Sequence, residues 1–206
     1  LDMLITYRVE LMQMNDGIGT IRLQDSHLET FGISRQKIRK AAFANLEGIV
    51  DFMTLRDDAS GFKMIAVARK DKQFGGAAAM LLPSVRRRLA KMFGTDSLVF
   101  LPSSISEVIA VPQTAGEPEM LLAMVHEINE TEVAPEERLT DSIYPMRLAD
   151  GEYRLSGIRP RAEPLRGIRV TSDSRCSNVS NQVECSRLNR RAVNGIIVLV
   201  YRKGKS

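Results

Sequence analysis

A chain of 206 residues with 44% hydrophobic and 26% charged side chains holds enough apolar material for one full core. No apolar run nears the roughly 20 residues that cross a bilayer, which excludes a helical membrane span. The net charge of +4 divides unevenly, since residues 1–150 carry 17 basic and 21 acidic side chains, net −4, and residues 151–206 carry 12 and 4, net +8. The charge of the whole chain therefore gives no ground for a nucleic-acid-binding fold.

Residues 3–12 and 18–23 read as the two strands of a hairpin, because Asn15-Asp16-Gly17 supplies the positive φ angles of a tight turn. Asp25 or Ser26 caps a short helix that runs to Phe31 and ends at Gly32. Ser34 caps the next, in which Ile38, Ala41, Ala42, Asn45 and Leu46 recur at helical spacing and Gly48 closes the run. After a polar turn at residues 56–61, residues 62–68 read as a strand and residues 76–82 as its small-residue neighbour. The run Gly75-Gly76-Ala77-Ala78-Ala79 implies close approach of another element. Pro83 opens a helix whose stripe Val85, Leu89, Met92 and Phe93 stops at Gly94, with at least two of Arg86, Arg87 and Arg88 facing solvent.

Residues 98–101 and 108–111 form a second hairpin with the loop 102–107 at its tip. Residues 117–128 are the clearest helix: Glu117, Pro118 and Glu119 sit at its positive end, and Met120, Leu121, Met124, Val125 and Ile128 form one face. Residues 142–148 and 153–155 flank Ala149-Asp150-Gly151, another Asp-Gly hairpin signal. This order predicts an α+β domain over residues 1–155, a mostly antiparallel sheet built from sequential hairpins with helices packed on one face. Residues 156–206 read as a basic tail that is either disordered or artefactual, from a changed reading frame or a fusion. A start at Leu1 rather than Met reads as an N-terminal truncation. Both cysteines, Cys176 and Cys185, fall in the tail, so the domain is built without a disulfide, as a reducing cytoplasm favours.

The order Leu1-Asp2…Tyr7-Arg8, Gly17-Ile18-Gly19-Thr20-Ile21, His27-Leu28-Glu29…Phe31-Gly32-Ile33 and Ala44-Asn45 continues downstream. There it runs through Gly75-Gly76-Ala77-Ala78, Leu101-Pro102-Ser103-Ser104…Glu107-Val108 and Asn129…Thr131…Val133-Ala134-Pro135-Glu136-Glu137…Leu139-Thr140-Asp141-Ser142. Together these residues resemble the middle of an uncharacterised bacterial family, a domain of unknown function found mainly in gut Firmicutes. The resemblance covers about residues 1–145 and departs from the family at Phe31, where a Trp is usual. It implies a cytoplasmic bacterial origin and a longer N-terminus, and it brings no activity, cofactor or catalytic residue with it.

Chemistry must then come from the residues themselves. The two histidines, His27 and His126, are separated by about 100 residues with no cysteine in the domain to join them, so no metal and no other cofactor is predicted. The loop hydroxyls of Ser103 and Ser104, with His126 as base and Asp141 as orienter, are the candidates for nucleophilic catalysis. The Gly-x-Ser-x-Gly elbow is missing, however, and hydroxyls in such loops commonly satisfy backbone groups. The Gly17 and Gly75 clusters match no phosphate-binding pattern, and the acidic pairs Asp57-Asp58 and Glu136-Glu137 read as solvated turns. Arg86, Arg87 and Arg88, near Arg69, Lys70 and Lys72, are the nucleic-acid candidates. An acidic domain without interleaved aromatics argues against that role, which leaves non-specific polyanion binding to the tail. The reading is a non-enzymatic cytoplasmic bacterial domain that binds an unknown protein partner or regulates one, with no membrane contact. The alternatives are a hydrolase using Ser103 or Ser104, and nucleic-acid association through the basic residues.

Overall fold

The structure is a computed structural model that describes residues 2–14, 17–56, 63–71, 73–160 and 196–202. Its strands are β1 (Met3–Met14), β2 (Gly17–Arg22), β3 (Val50–Arg56), β4 (Lys63–Arg69), β5 (Leu98–Leu101), β6 (Glu107–Pro112), β7 (Tyr144–Ala149), β8 (Glu152–Leu155) and β9 (Ile196–Arg202). Its helices are α1 (Asp25–Phe31), α2 (Arg35–Ile49), α3 (Pro83–Phe93) and α4 (Pro118–Thr131). Six strands form one sheet in the order β3-β4-β6-β5-β7-β8 and three form another in the order β2-β1-β9, with every pairing antiparallel. This is the α+β, hairpin-built antiparallel fold that the sequence predicts. No helix among the described residues is long and apolar enough to cross a membrane.

Local chemistry explains most element ends. Ser34 Oγ accepts from the Lys37 N–H at the start of α2, and Gly32 and Gly94, at φ 59° and 70°, end α1 and α3. Asp150 and Gly151, at φ 53° and 74°, make the β7–β8 turn. His27 has a structural task, its Nδ1 accepting from the Gln24 N–H at the start of α1. The turn residues Asn15 and Asp16 of the first hairpin and the acidic pair Asp57-Asp58 lie outside the described residues.

Strand alternation sends the six-stranded sheet into two cores. Leu98 and Phe100 of β5 join Ile65, Val67, Val108, Ala110, Tyr144 and Met146 on the face covered by α2, α3 and the three-stranded sheet. Val99 and Leu101 point the other way, into a second core with Val111, Ile143 and the α4 residues Leu121 and Val125. The expected layer of helices on one face is thus the arrangement of α2 and α3, and α4 lies on the opposite face. Met120, expected on the apolar face of α4, is exposed, its side chain lying over Gly116.

Three readings change. Residues 76–82, expected as a strand, contain a 3-10 helical turn, Gly76–Leu81, because Gly75 at φ 98° turns the chain out of the sheet. Close approach is nevertheless the reason for its small residues. A Cβ on Gly76 would run into the Ser106 carbonyl oxygen and lie 2.9 Å from Ala68 Cα, and Ala77, Ala78 and Ala79 are fully buried. The turn touches β4 and β6 on one side and β9 on the other. Second, α2 runs through Gly48 to Ile49 and passes straight into β3, a strand with no counterpart in the expected order. The third concerns the basic tail. Residues 161–195 and 203–206 lie outside the described residues, but the run Ile196–Arg202 within it is a strand paired with β1, and Ile197 is buried. Backbone pairing also continues past Leu155, where Ile158 bridges Ile143.

Candidate functional site

Buried polar side chains gather at one corner of the six-stranded sheet, where the loop 102–106, the end of α4 and the segment 133–144 meet the residue before β1. Ser103, Ser104, Asn129, Thr140 and Ser142 are all buried there. The loops are strapped by backbone bonds, the Leu139 N–H donating to Ser103 O at 2.8 Å and the Ile105 N–H to Glu137 O at 2.9 Å. Ser104 Oγ accepts from the Ser106 N–H at 3.0 Å, the backbone role expected of a loop hydroxyl.

Asp2 is the hub of this corner. Its carboxylate accepts from Thr140 Oγ1 at 3.0 Å, from Ser142 Oγ at 2.7 Å and from the Tyr144 hydroxyl, and Arg159 Nε lies 4.0 Å away. Burial would raise the Asp2 carboxyl, but the hydroxyls of Tyr144, Ser142 and Thr140 outweigh it and hold it below the usual carboxylate range. Burial, aided by the Asp2 anion, pushes the Tyr144 phenol well above its ordinary value. Asp2 stays ionised and Tyr144 stays protonated, so the array is a hydrogen-bonded clamp tying the start of β1 to β7 rather than a proton relay. Sequence reasoning missed it. The available signal was Thr140, Ser142 and Tyr144 at period-two spacing, which puts three hydroxyls on one side of an extended segment.

The second group lies beside the first. Asn129, 2% exposed, donates through Nδ2 to Thr140 O at 3.0 Å and to Asp141 Oδ1 at 2.6 Å, while its Oδ1 is buried without a partner. Asp141 Oδ1 also lies 3.8 Å from Nδ1 of His126, whose side chain is 65% exposed. Two of the residues predicted as catalytic candidates, His126 and Asp141, thus lie near each other, at a separation longer than a hydrogen bond. The serines are not joined to them: no hydrogen bond among the described residues links a Ser103 or Ser104 hydroxyl to His126. Nor do three or more His, Cys, Asp or Glu side chains among the described residues form a group that could hold a metal ion.

The arginine triplet splits in three directions because successive helical residues turn by about 100°. Arg86 reaches inward, its guanidinium donating to Leu81 O at 2.7 Å and to Tyr153 O of β8, with its Nε buried and unpartnered and burial holding its pKa below the ordinary value. Arg88 stacks 4.0 Å over the Phe52 ring, and Arg87 is exposed. Arg69 is buried too, bonded to Asp71 at 2.6 and 2.9 Å and to Glu10 at 3.0 Å, which spans the two sheets.

At the far flank of the sheet the α4 side of β3 is partly exposed, while Ala66 beside it on β4 is buried. A groove of about 340 Å³ there is lined by Asp51, Met53, Ala66, Ala68, Lys70 and Glu107 among others, and Met53 is 54% exposed. Lys70 N–H donates to Ile49 O, which fixes the parity of the β3–β4 ladder. The odd residues Asp51, Met53 and Leu55 bond to β4, and Val50, Phe52, Thr54 and Arg56 direct their N–H and C=O groups to the open edge.

The sequence profile of a family of unknown function, DUF5688, matches residues 1–147, more than two thirds of the chain. The chain belongs to DUF5688. The DUF5688 region contains the polar corner apart from Arg159, the arginine triplet and the open groove. β9 lies outside it, as does β8. No curated protein and no solved structure matches the chain. The resemblance read from the sequence is therefore to the right family, and DUF5688 membership adds no chemistry to the geometry.

Proposed function

We propose that the chain is a non-enzymatic, cytoplasmic bacterial protein-binding or regulatory domain whose contact surface is the open β3 flank. There an extended segment of a partner protein adds to the sheet edge. The observation that carries this reading is the unprotected edge itself. β3 is seven residues long, the four residues Phe52-Met53-Thr54-Leu55 between its charged Asp51 and Arg56 are uncharged, and no strand among the described residues pairs with its outer side. Edges of this kind are ordinarily blunted by short length, charge or cover, and an uncovered one is the template for strand addition. The groove beside Met53 gives alternate side chains of an added strand a place to sit.

Thr54→Pro tests this directly. The Thr54 N–H points outward, so proline removes an edge donor and leaves the β4 ladder intact. Full-length protein carrying a photo-crosslinking residue at position 53 should capture a partner from a bacterial lysate, and the same protein with Thr54→Pro should lose that capture. Capture that survives Thr54→Pro unchanged rejects the edge as the contact.

The His126–Asp141 contact favours a second reading, a hydrolase using Ser103 or Ser104. It predicts labelling by a fluorophosphonate that Ser103→Ala or Ser104→Ala abolishes. The engaged Ser104 hydroxyl and the burial of Ser103 support the binding reading over this one. Nucleic-acid association is the weakest reading, because Arg86 is spent on carbonyls.

A further inference from the structure

We propose that the groove beside β3 selects its occupant by charge: the segment it takes carries a lysine or arginine facing Asp51 and, two residues away, an uncharged apolar side chain facing Met53. The inference rests on the β3-edge reading and deepens it, because it names the chemistry of the segment. Two cross-strand rows carry it. Asp51 pairs with Ala68, which pairs with Glu107, and Met53 pairs with Ala66, which pairs with Ile109. Directly paired residues project from the same face of a sheet, so each row is a small alanine between two longer side chains. The alanines are the reason a groove exists here: Ala66 and Ala68 form its floor, and Asp51, Met53 and Glu107 stand at its sides.

The first row sets the charge of the groove. Asp51 and Glu107 lie two strands apart, about 10 Å at the backbone. Neither carboxylate has a hydrogen bond or ion pair among the described residues. Of the two cations that line the groove, Arg69 is bonded to Asp71 and Glu10, and Lys70 balances one of the two carboxylates. One negative charge is left without a counterpart, one row from Met53. The parity of β3 then fixes how an added strand meets these rows. Its outward backbone groups belong to Val50, Phe52, Thr54 and Arg56, so in an antiparallel addition those residues take the hydrogen-bonded positions. Asp51 and Met53 fall in the other class of pair, in which facing Cα atoms are about 4.5 Å apart and side chains meet most closely. The residues that face them are two apart in the added strand and share one face. Antiparallel direction puts the apolar one first, which gives the pattern apolar-x-Lys or apolar-x-Arg. An acidic residue facing Asp51 meets like charge and is disfavoured.

The test selects a random heptapeptide library, displayed on phage, against the immobilised full chain, with Asp51→Lys and Thr54→Pro chains as parallel targets. Peptides selected by the parent should share the apolar-x-Lys or apolar-x-Arg pattern. A synthetic peptide of that pattern should lose about fivefold in affinity when its cation is replaced by glutamine, and the difference should shrink in high salt. Asp51 is exposed, so Asp51→Lys keeps the fold and should invert the preference to an acidic residue at the same place. Glu107→Gln should weaken the preference for a cation without inverting it. Peptides that are lost with Thr54→Pro but share no cation, and are indifferent to Asp51→Lys, overturn this proposal and leave the edge reading standing. Selection that survives Thr54→Pro unchanged, or that enriches no peptide on the parent, overturns both.

Discussion

The two flanks of the six-stranded sheet spend their hydrogen-bonding capacity in opposite ways. At the β7–β8 flank buried side chains take up many of the polar groups, although Asn129 Oδ1 and Arg86 Nε stay unpartnered. Asp2 accepts three hydroxyls, Asn129 holds the Thr140 carbonyl, and the four-residue edge strand β8 carries Glu152 and Arg154 and receives Arg86 on its Tyr153 carbonyl. At the β3 flank a seven-residue edge offers four residues' worth of outward backbone groups beside an exposed Met53. One flank uses polarity to hold the fold and the other leaves it on offer. A cluster of buried polar residues can therefore serve the fold by tying distant segments together.

The contrast can be broken most strongly at Asp2. Asp2→Ala leaves the buried hydroxyls of Thr140, Ser142 and Tyr144 without their acceptor and should cost about 3 kcal/mol in urea unfolding. Leu55→Pro should cost about 2–3 kcal/mol, because the Leu55 N–H belongs to the β4 ladder. If it matches the neighbouring Thr54→Pro instead, the parity of β3 is wrong.

The same clamp predicts a pH profile. The Asp2 carboxyl is depressed in the fold, so its stabilisation is present above the unfolded value near 3.8 and lost as pH falls through the lower folded one. The Tyr144 phenol is raised, so its stabilisation is present below 10 and lost as pH climbs above that. Asp2→Asn should flatten the acid limb of a plot of unfolding free energy against pH, and Tyr144→Phe the alkaline limb. An unchanged acid limb in Asp2→Asn would remove the clamp from the account.

Smaller effects follow at the edges. Arg86→Met strands the Leu81 and Tyr153 carbonyls but also relieves a half-buried charge, and should destabilise by about 1 kcal/mol. Thr54→Pro should change stability by no more than about 0.5 kcal/mol while abolishing partner capture. His126→Ala removes an exposed pair with Asp141 and should fall within about 0.5 kcal/mol of the parent, a null that separates the exposed dyad from the clamp beside it.

Elements set by local chemistry were legible in the sequence. Ser34, Gly94 and Asp150-Gly151 each fix a cap or turn through their own backbone and side-chain preferences, and the structure places all three as expected. β3 was hidden because α2 enters it with no turn residue between, so no punctuation separates Gly48-Ile49 from the strand. The alanine run carries no periodicity of its own, and its 3-10 form is imposed by β4, β6 and β9 around it. Pairings between distant residues were the least visible. Asp2 meets Ser142 across 140 residues and β1 meets β9 across nearly the whole chain, and no local preference records either. Of the candidate site, the His126–Asp141 pair was foreseeable as chemistry, whereas the clamp was not. The inward turn of Arg86 follows from helical geometry once Val85 and Leu89 are fixed as core.

The alanine turn between the two sheets has a consequence for how the molecule melts. Because Ala77, Ala78 and Ala79 leave no space around them and touch elements of both sheets, neither sheet can loosen without opening the other's packing. Heat should therefore find one calorimetric transition, with van't Hoff and calorimetric enthalpies in agreement. Ala78→Leu, by wedging the sheets apart, should split that single peak into two.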